Sequence, residues 1–125
     1  MPRREPEHDL QAMVVQWWSY NHRKLSAPEC LLFAIPNGGM RNRVVAAKLK
    51  AEGVRPGVPD MMLAMPREKY CGLFIEHKIK PNKPSEEQIE FIEHLSMQGY
   101  QVAVSYSYDE TVKCISSYLS GELFK

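Results

Sequence analysis

The sequence lacks the features that mark membrane proteins, secreted proteins and zinc-binding modules. No apolar run approaches the roughly 20 residues that cross a bilayer, and the N-terminal residues lead into no apolar signal core. The three cysteines are far apart, without the paired spacing of metal ligands. We therefore predict buried, reduced thiols in a cytoplasmic protein without membrane attachment.

Strong net charge is also lacking. The chain has 16 basic and 15 acidic residues and a formal net charge of +1, so only local clusters of charge can indicate a nucleic-acid partner. Internal repeats, low-complexity segments and linkers are absent from the sequence. Because 44% of its 125 residues are hydrophobic, we predict one compact domain over residues 1–125.

The apolar pattern predicts four helices and four strands. Leu10, Met13, Val14 and Trp17 share one face of a first helix over residues 7–21. Further helices are predicted over 42–52, between 85 and 99, and over 108–119, and strands over 31–35, 60–65, 72–78 and 100–106. The order helix, strand, helix, strand, strand, helix, strand, helix predicts an α/β domain whose mixed sheet is covered by helices.

Two neighbouring predicted strands carry the charged residues that suggest a chemical function. Asp60 begins one strand, and Glu76 and Lys78 lie on the same side of the next because strand side chains alternate. Residues 66–70 predict a hairpin turn, so an antiparallel pairing would bring Asp60 beside Glu76. Two carboxylates and a lysine are typical of a Mg²⁺ site for phosphodiester chemistry, and the His77 carbonyl would add a third oxygen.

Each of these residues also has a purely structural interpretation. Asp60 follows Pro59 and suits a turn cap, while Glu76 and Lys78 can form a simple ion pair. The imidazole of His77 is predicted on the opposite face, as a packed core histidine or a surface histidine rather than a ligand. A lysine beside two carboxylates keeps its charge, which favours positioning and electrostatic work over a general-base role.

Two helix termini carry polar residues with two interpretations each. Glu7 favours the positive end of the first helix dipole, and it shares a helix face with Gln11. Gln88 closes a Ser-x-x-Gln capping box that begins at Ser85. Both residues are also placed to reach the acidic site, and the sequence leaves the two interpretations open.

The most one-sided charge cluster lies between residues 41 and 55, with five basic residues and one acidic residue. It follows a glycine loop over residues 36–42, where the backbone allows close approach of phosphates. A solvated charged face is the plain alternative, and a phosphate-contacting surface is the functional one. The candidate DNA-contacting residues are Asn37, Gly38, Gly39, Arg41, Arg43, Lys48, Lys80 and Lys83.

Taken together, these residues resemble the VRR-NUC family within the restriction-endonuclease-like nucleases. The resemblance rests on Pro36-Asn37-Gly38-Gly39, Gly53-Val54-x-x-Gly57-Val58-Pro59-Asp60, Ile75-Glu76-x-Lys78, Ser85-x-x-Gln88 and Glu7-x-x-Leu10-Gln11. It extends from about residue 7 to residue 119. It implies a restriction-endonuclease-like mixed β-sheet flanked by helices.

The resemblance also implies a Mg²⁺- or Mn²⁺-dependent DNA endonuclease. By this resemblance Asp60 and Glu76 bind metal, Lys78 is catalytic, and Glu7, as a further ligand, and Gln88 complete the site. Stand-alone phage and bacterial members are similar to homodimeric enzymes that resolve Holliday junctions, and larger members act on flaps. The implied partners are therefore branched DNA and a second copy, in a bacterial or phage-infected cell, with a role in replication, repair or recombination.

Three other functions fit parts of the sequence. They are a sequence-specific nuclease of the restriction type, a non-catalytic DNA-binding module with a vestigial nuclease site, and an α/β domain whose charges are simply paired. A vestigial site is expected to have lost at least one of Asp60, Glu76 and Lys78, and all three are present. The complete set favours the nuclease.

Overall fold

The structure is a computed structural model that describes residues 6–36 and 42–121. These residues contain four α-helices and four strands. The helices are α1 (Pro6–Asn21), α2 (Arg43–Ala51), α3 (Glu86–Met97) and α4 (Tyr108–Ser120), and the strands are β1 (Leu32–Ala34), β2 (Met61–Leu63), β3 (Leu73–His77) and β4 (Gln101–Ser105). A 3₁₀ turn, Glu29–Leu31, precedes β1. The predicted order of elements and the α/β class are confirmed.

The strands form one mixed sheet in the order β1-β2-β3-β4. The β1–β2 and β2–β3 pairs are antiparallel, and β3–β4 is parallel. Helix α3 connects β3 to β4, because two parallel strands cannot be joined by a tight hairpin. The strands are shorter than predicted, so Asp60 lies just before β2 and Lys78 lies just after β3.

The helices lie on both faces of the sheet. His77 contacts α1 and α4, whereas the adjacent Glu76 contacts α3, and neighbouring strand residues point to opposite faces. The core lies between the sheet and the pair α1 and α4. It includes Leu10, Val14, Trp18, Met61, Leu63, Leu73, Ile75, Ile115 and Tyr118.

Helix α1 is rotated relative to the predicted apolar face. Met13, which was predicted on that face, is 50% exposed, whereas Leu10, Val14 and Trp18 are buried. The Trp18 indole N–H donates to the carbonyl of Glu29 at 2.8 Å, and this bond fixes the Trp18 side of the helix against the body of the protein. Trp17 is left at the edge of the core.

The cysteine prediction is wrong for two of the three thiols. All three cysteines are free, but Cys30 and Cys71 are exposed and only Cys114 is partly buried. Cys30 lies in the 3₁₀ turn and Cys71 in the bend before β3, outside the packed elements. Burial raises the pKa of Cys114 to about 11.

One end of the sheet collects the polar residues. Because β2 runs against its neighbours, its first residue lies at the same end as the last residues of β1, β3 and β4. There the Ile35 amide donates to the carbonyl of Asp60 at 2.8 Å, and the Lys78 amide donates to the carbonyl of Ser105 at 2.9 Å. Among the described helices, none has the length and apolar character needed to span a bilayer.

Candidate active site

The strand register places Asp60 opposite Glu76. Met61 pairs with Ile75 in the antiparallel β2–β3 ladder, so the residue before Met61 faces the residue after Ile75. The next amide of β3, that of His77, donates to a side chain and not to the backbone of β2: Oδ2 of Asp60 accepts from it at 2.7 Å. The antiparallel pairing predicted from the sequence is therefore present, and it orients the Asp60 carboxylate along the end of β3.

Glu76 is buried at this end of the sheet, with only 2% of its surface exposed. Its Oε2 lies 3.7 Å from the ammonium group of Lys78, whose side chain is also largely buried, and 3.1 Å from Nε2 of Gln88. Its Oε1 has no hydrogen-bond partner in the described part of the chain. One oxygen of this carboxylate is thus held by Lys78 and Gln88, and the other is buried and receives no hydrogen bond from the described residues.

Gln88 has both of the roles that the sequence left open: it closes the capping box of α3 and it contacts the acidic site. Its Oε1 accepts from the Ser85 amide at 2.8 Å, and Ser85 Oγ accepts from the Gln88 amide at 3.2 Å, which completes the capping box. Its Nε2 donates to Glu76. The cap fixes the orientation of the amide, so the first turn of α3 presents a donor to the buried carboxylate.

The electrostatics of the site disfavour a second negative charge. Burial raises the pKa of Glu76 to about 8, and the nearby carboxylate of Asp60 adds to this rise. The positive charge of Lys78 acts in the opposite direction, and Glu7 contributes a further, smaller rise. Glu7 lies in the exposed first turn of α1, so its charge reaches the site although the structure gives it no direct contact with Glu76.

This set of donors fits a divalent cation. A buried carboxylate with an unpartnered oxygen, facing a second carboxylate, is stabilised by a bound positive charge. Within residues 6–36 and 42–121, no three His, Cys, Asp or Glu side chains are gathered to hold a metal. Mg²⁺ usually takes only one or two carboxylates and keeps several waters, so the pair Asp60 and Glu76 is sufficient.

Gly57 allows the loop before β2 to approach α3 closely. Its φ is +89°, and a Cβ built at this position would lie 2.8 Å from the carbonyl oxygen of Glu87. Such a contact is too short for a real side chain, so only glycine fits. The approach fixes the loop that leads to Asp60 against the turn that carries Gln88.

We expect Gly57→Ala to destabilise the protein and to disturb the site together. The positive φ alone costs about 1–3 kcal/mol for a residue with a Cβ, and the contact with Glu87 adds to that cost. Gly53→Ala is the matched control, because Gly53 has a φ of +98° but nothing within 4 Å of a built Cβ. Urea unfolding measures both; equal losses in the two variants would contradict the role of the close approach.

A family comparison adds to this geometry. The sequence model of the VRR-NUC domain matches residues 2–109. The chain belongs to the VRR-NUC domain family. A solved structure described as a VRR_NUC domain protein matches with a TM-score of 0.77 and 27% sequence identity, over 95% of this chain and 92% of that chain. The comparison with curated proteins gives no match.

Membership of the VRR-NUC family gives the chain a nuclease-like, DNA-processing role with DNA as its substrate. The solved relative also supports the fold, because the match extends over nearly the whole of both chains. In this family context, the acidic end of the sheet is the candidate place of reaction, since there the buried Glu76 faces Asp60 and contacts the largely buried Lys78.

The candidate DNA-contacting residues of this VRR-NUC chain are partly described. Arg43, Lys48, Lys80 and Lys83 are exposed, and Asn37, Gly38, Gly39 and Arg41 lie outside the described residues. Lys80 follows β3, and its ammonium group lies 6.0 Å from the ring centroid of Tyr106, at the site end of the sheet.

Sequence reasoning missed the polar residues beneath the site. His77 is directed away from Glu76, as predicted, and it is buried, but its hydrogen bonds to Gln11 and Thr111 were not predicted. A signal was present in α4, where Thr111 stands at helical spacing from the buried Ile115. A polar residue inside a buried stripe requires a partner.

Proposed function

We propose that the protein is a Mg²⁺- or Mn²⁺-dependent endonuclease that hydrolyses phosphodiester bonds in branched DNA. The observation that carries the proposal is the buried Glu76, which keeps one oxygen without a partner while facing Asp60 and contacting Lys78. A buried carboxylate that faces a second carboxylate is costly in a protein that never binds a cation. The nuclease-like family supports the same chemistry.

The residues of the chain have distinct tasks in this mechanism. Asp60 and Glu76 would hold the cation, with Glu7 and the His77 carbonyl as further oxygens. When bound, a divalent cation supplies an activated water and offsets the negative charge of the phosphate. Lys78 directs its ammonium group at the same place, where it stabilises the negative charge that develops on the phosphate oxygens.

Gln88 and the His77 amide orient the two carboxylates before substrate arrives. Gln88 holds Oε2 of Glu76, and Oε1, which has no hydrogen-bond partner among the described residues, would bind the cation. The His77 amide holds Oδ2 of Asp60. Neither carboxylate therefore has to find its orientation during the reaction, and preorganised charge of this kind is a large part of enzymatic rate enhancement.

Branched DNA is proposed together with a homodimer, because a four-way junction has two strands to cut and needs two active sites. Two exposed apolar residues support a second copy. Val44 on α2 is 66% exposed, and none of the residues of α2 is buried. Phe33 on the edge strand β1 is 42% exposed. Edge strands and unpartnered apolar helix faces are common sites of self-association.

The experiment that tests the proposal is cleavage of a panel of labelled DNAs. Four-way junctions, flaps, linear duplex and single strands are incubated with Mg²⁺, with Mn²⁺ or with chelator. We expect metal-dependent cuts, with the junction or flap cut at least about tenfold faster than linear duplex. No metal-dependent cleavage of any substrate would overturn the proposal.

A second candidate function is non-catalytic DNA binding. The contact between Lys78 and Glu76 favours it, because an ion pair is a complete structural use of these two residues. The same panel separates the two functions: retention of junctions in a gel, unaffected by chelator and without cleavage, would support the binding module.

A further inference from the structure

A chain of buried polar side chains lies beneath the candidate site, on the other face of β3. His77 Nδ1 lies 3.2 Å from Oε1 of Gln11 in α1, and His77 Nε2 lies 3.1 Å from Oγ1 of Thr111 in α4. Thr111 Oγ1 lies 2.6 Å from Oγ of Ser105, which in turn lies 3.1 Å from the carbonyl oxygen of Ser107. The chain therefore joins α1, β3, β4 and α4.

The three central residues of this chain are as deeply buried as the apolar core. His77 is 1% exposed, Ser105 is 3% exposed and Thr111 is not exposed. Burial also lowers the pKa of His77, which favours the neutral ring. Because the amide oxygen of Gln11 can only accept, Nδ1 of that ring donates to it and Nε2 accepts from the Thr111 hydroxyl. A buried polar network adds little net stability compared with apolar residues of the same size. Its directional bonds instead specify one arrangement of the elements they join.

The same residues hold the backbone of the site from below. The His77 amide donates to the Asp60 carboxylate, and the Ser105 carbonyl accepts from the Lys78 amide. The side chains of His77 and Ser105 are both tied to Thr111. One hydroxyl group on α4 is thus connected, through two side chains, to the orientation of Asp60 and the position of Lys78.

The network also connects α1 to the site. Gln11, which contacts the His77 ring, lies one helical turn after Glu7 on the same face of α1. A shift of His77 would therefore move the first turn of α1 and change the distance between Glu7 and Glu76. The network is placed to set the positions of residues on both sides of β3.

We propose that His77, Thr111 and Ser105 are positioning residues, whose buried hydrogen-bond network aligns Asp60, Lys78 and Glu7 at the candidate active site. The inference rests on the proposed nuclease function for its kinetic consequences. Its structural consequence, a fixed bond between the His77 amide and the Asp60 carboxylate, does not depend on cleavage.

Thr111 offers the sharpest test because two substitutions separate its hydroxyl from its methyl group. Thr111→Val keeps the volume and removes the hydroxyl, whereas Thr111→Ser keeps the hydroxyl and removes the methyl. Ile115→Val is the control for plain loss of packing, since Ile115 is fully buried on the same helix and is apolar. All variants are assayed well below their Tm.

We expect Thr111→Val to lower kcat by about 10- to 100-fold with little change in KM, as is usual when a partner of an active-site ligand is removed. Thr111→Ser and Ile115→Val should lower Tm by a few degrees and keep kcat within about threefold. Ca²⁺ affinity, measured by calorimetry without DNA, should fall in Thr111→Val alone. Activity that follows Tm in all three variants would overturn the proposal.

A readout independent of cleavage is the amide proton of His77 in NMR spectra. Its hydrogen bond to a carboxylate at 2.7 Å predicts a downfield chemical shift and slow exchange. Both should change in Thr111→Val and persist in Thr111→Ser. An unchanged His77 amide in Thr111→Val would overturn the positioning role, even if the parent protein cleaves DNA. If the His77 amide changes in Thr111→Val but the parent protein cuts no DNA, the nuclease function is overturned and the alignment of Asp60 is kept.

Discussion

Replacing Glu76 with glutamine is expected to abolish cleavage and, at the same time, to stabilise the metal-free protein near pH 8. Glutamine keeps an oxygen for Gln88 but removes the negative charge that would hold a cation. The loss of several kcal/mol of transition-state stabilisation corresponds to at least about a 1,000-fold lower kcat. The rate is measured on the best substrate of the panel, with Mg²⁺ in excess.

The gain in stability follows from the pKa of Glu76. Below its ordinary value of 4.5, Glu76 is protonated in both folded and unfolded chains and does not affect their balance. As the pH rises from 4.5 towards about 8, the unfolded chain releases a proton that the folded chain retains, so the parent loses stability. The loss amounts to a few kcal/mol by pH 8, and Glu76→Gln is free of it.

Thermal unfolding in chelator at pH 5 and pH 8 measures this difference. The Tm of the parent should fall relative to that of Glu76→Gln between the two values, and added Mg²⁺ should raise the Tm of the parent alone. Glu93→Gln is the control, since Glu93 is an exposed carboxylate on α3. If the Tm of the parent rises relative to that of Glu76→Gln between pH 5 and pH 8, the raised pKa of Glu76 is contradicted.

The part of the site that lies along two neighbouring strands was open to prediction from the sequence. Side-chain alternation placed Glu76 and Lys78 together, and a short hairpin determined the register that brings Asp60 opposite Glu76. The capping box predicted the orientation of Ser85 and Gln88. Such local rules act over a few residues, and they are reliable because they depend on backbone geometry.

The contacts beneath the site could not be predicted in this way. The ring of His77 meets Gln11 across 66 positions of sequence and Thr111 across 34. Its partners depend on how α1 and α4 rotate as they pack, and the same rotation left Met13 exposed. Periodicity identifies a helix face only approximately, so it predicts that two helices cover a strand but not which polar atoms meet.

Replacing Lys78 with methionine is expected to lower kcat by about 100- to 1,000-fold, the usual cost of removing one charge-stabilising donor. The side chain is 15% exposed and its ammonium group lies 3.7 Å from Glu76, so its charge acts inside the site and not on the outer surface. DNA affinity should stay within about threefold, because many phosphate contacts share the binding energy. Single-turnover cleavage and binding in chelator measure the two quantities separately.

Lys78→Arg decides between the two roles of the lysine. Arginine keeps the positive charge but cannot act as a base. If Lys78 acts through its charge, Lys78→Arg should cleave at least about tenfold faster than Lys78→Met. Equal rates in the two variants would favour proton transfer by the lysine. Lys113→Met is the matched control, an exposed lysine on α4 that is not among the candidate DNA contacts. Cleavage by Lys78→Met at the parent rate would remove Lys78 from the mechanism and leave it as the ion-pair partner of a buried carboxylate.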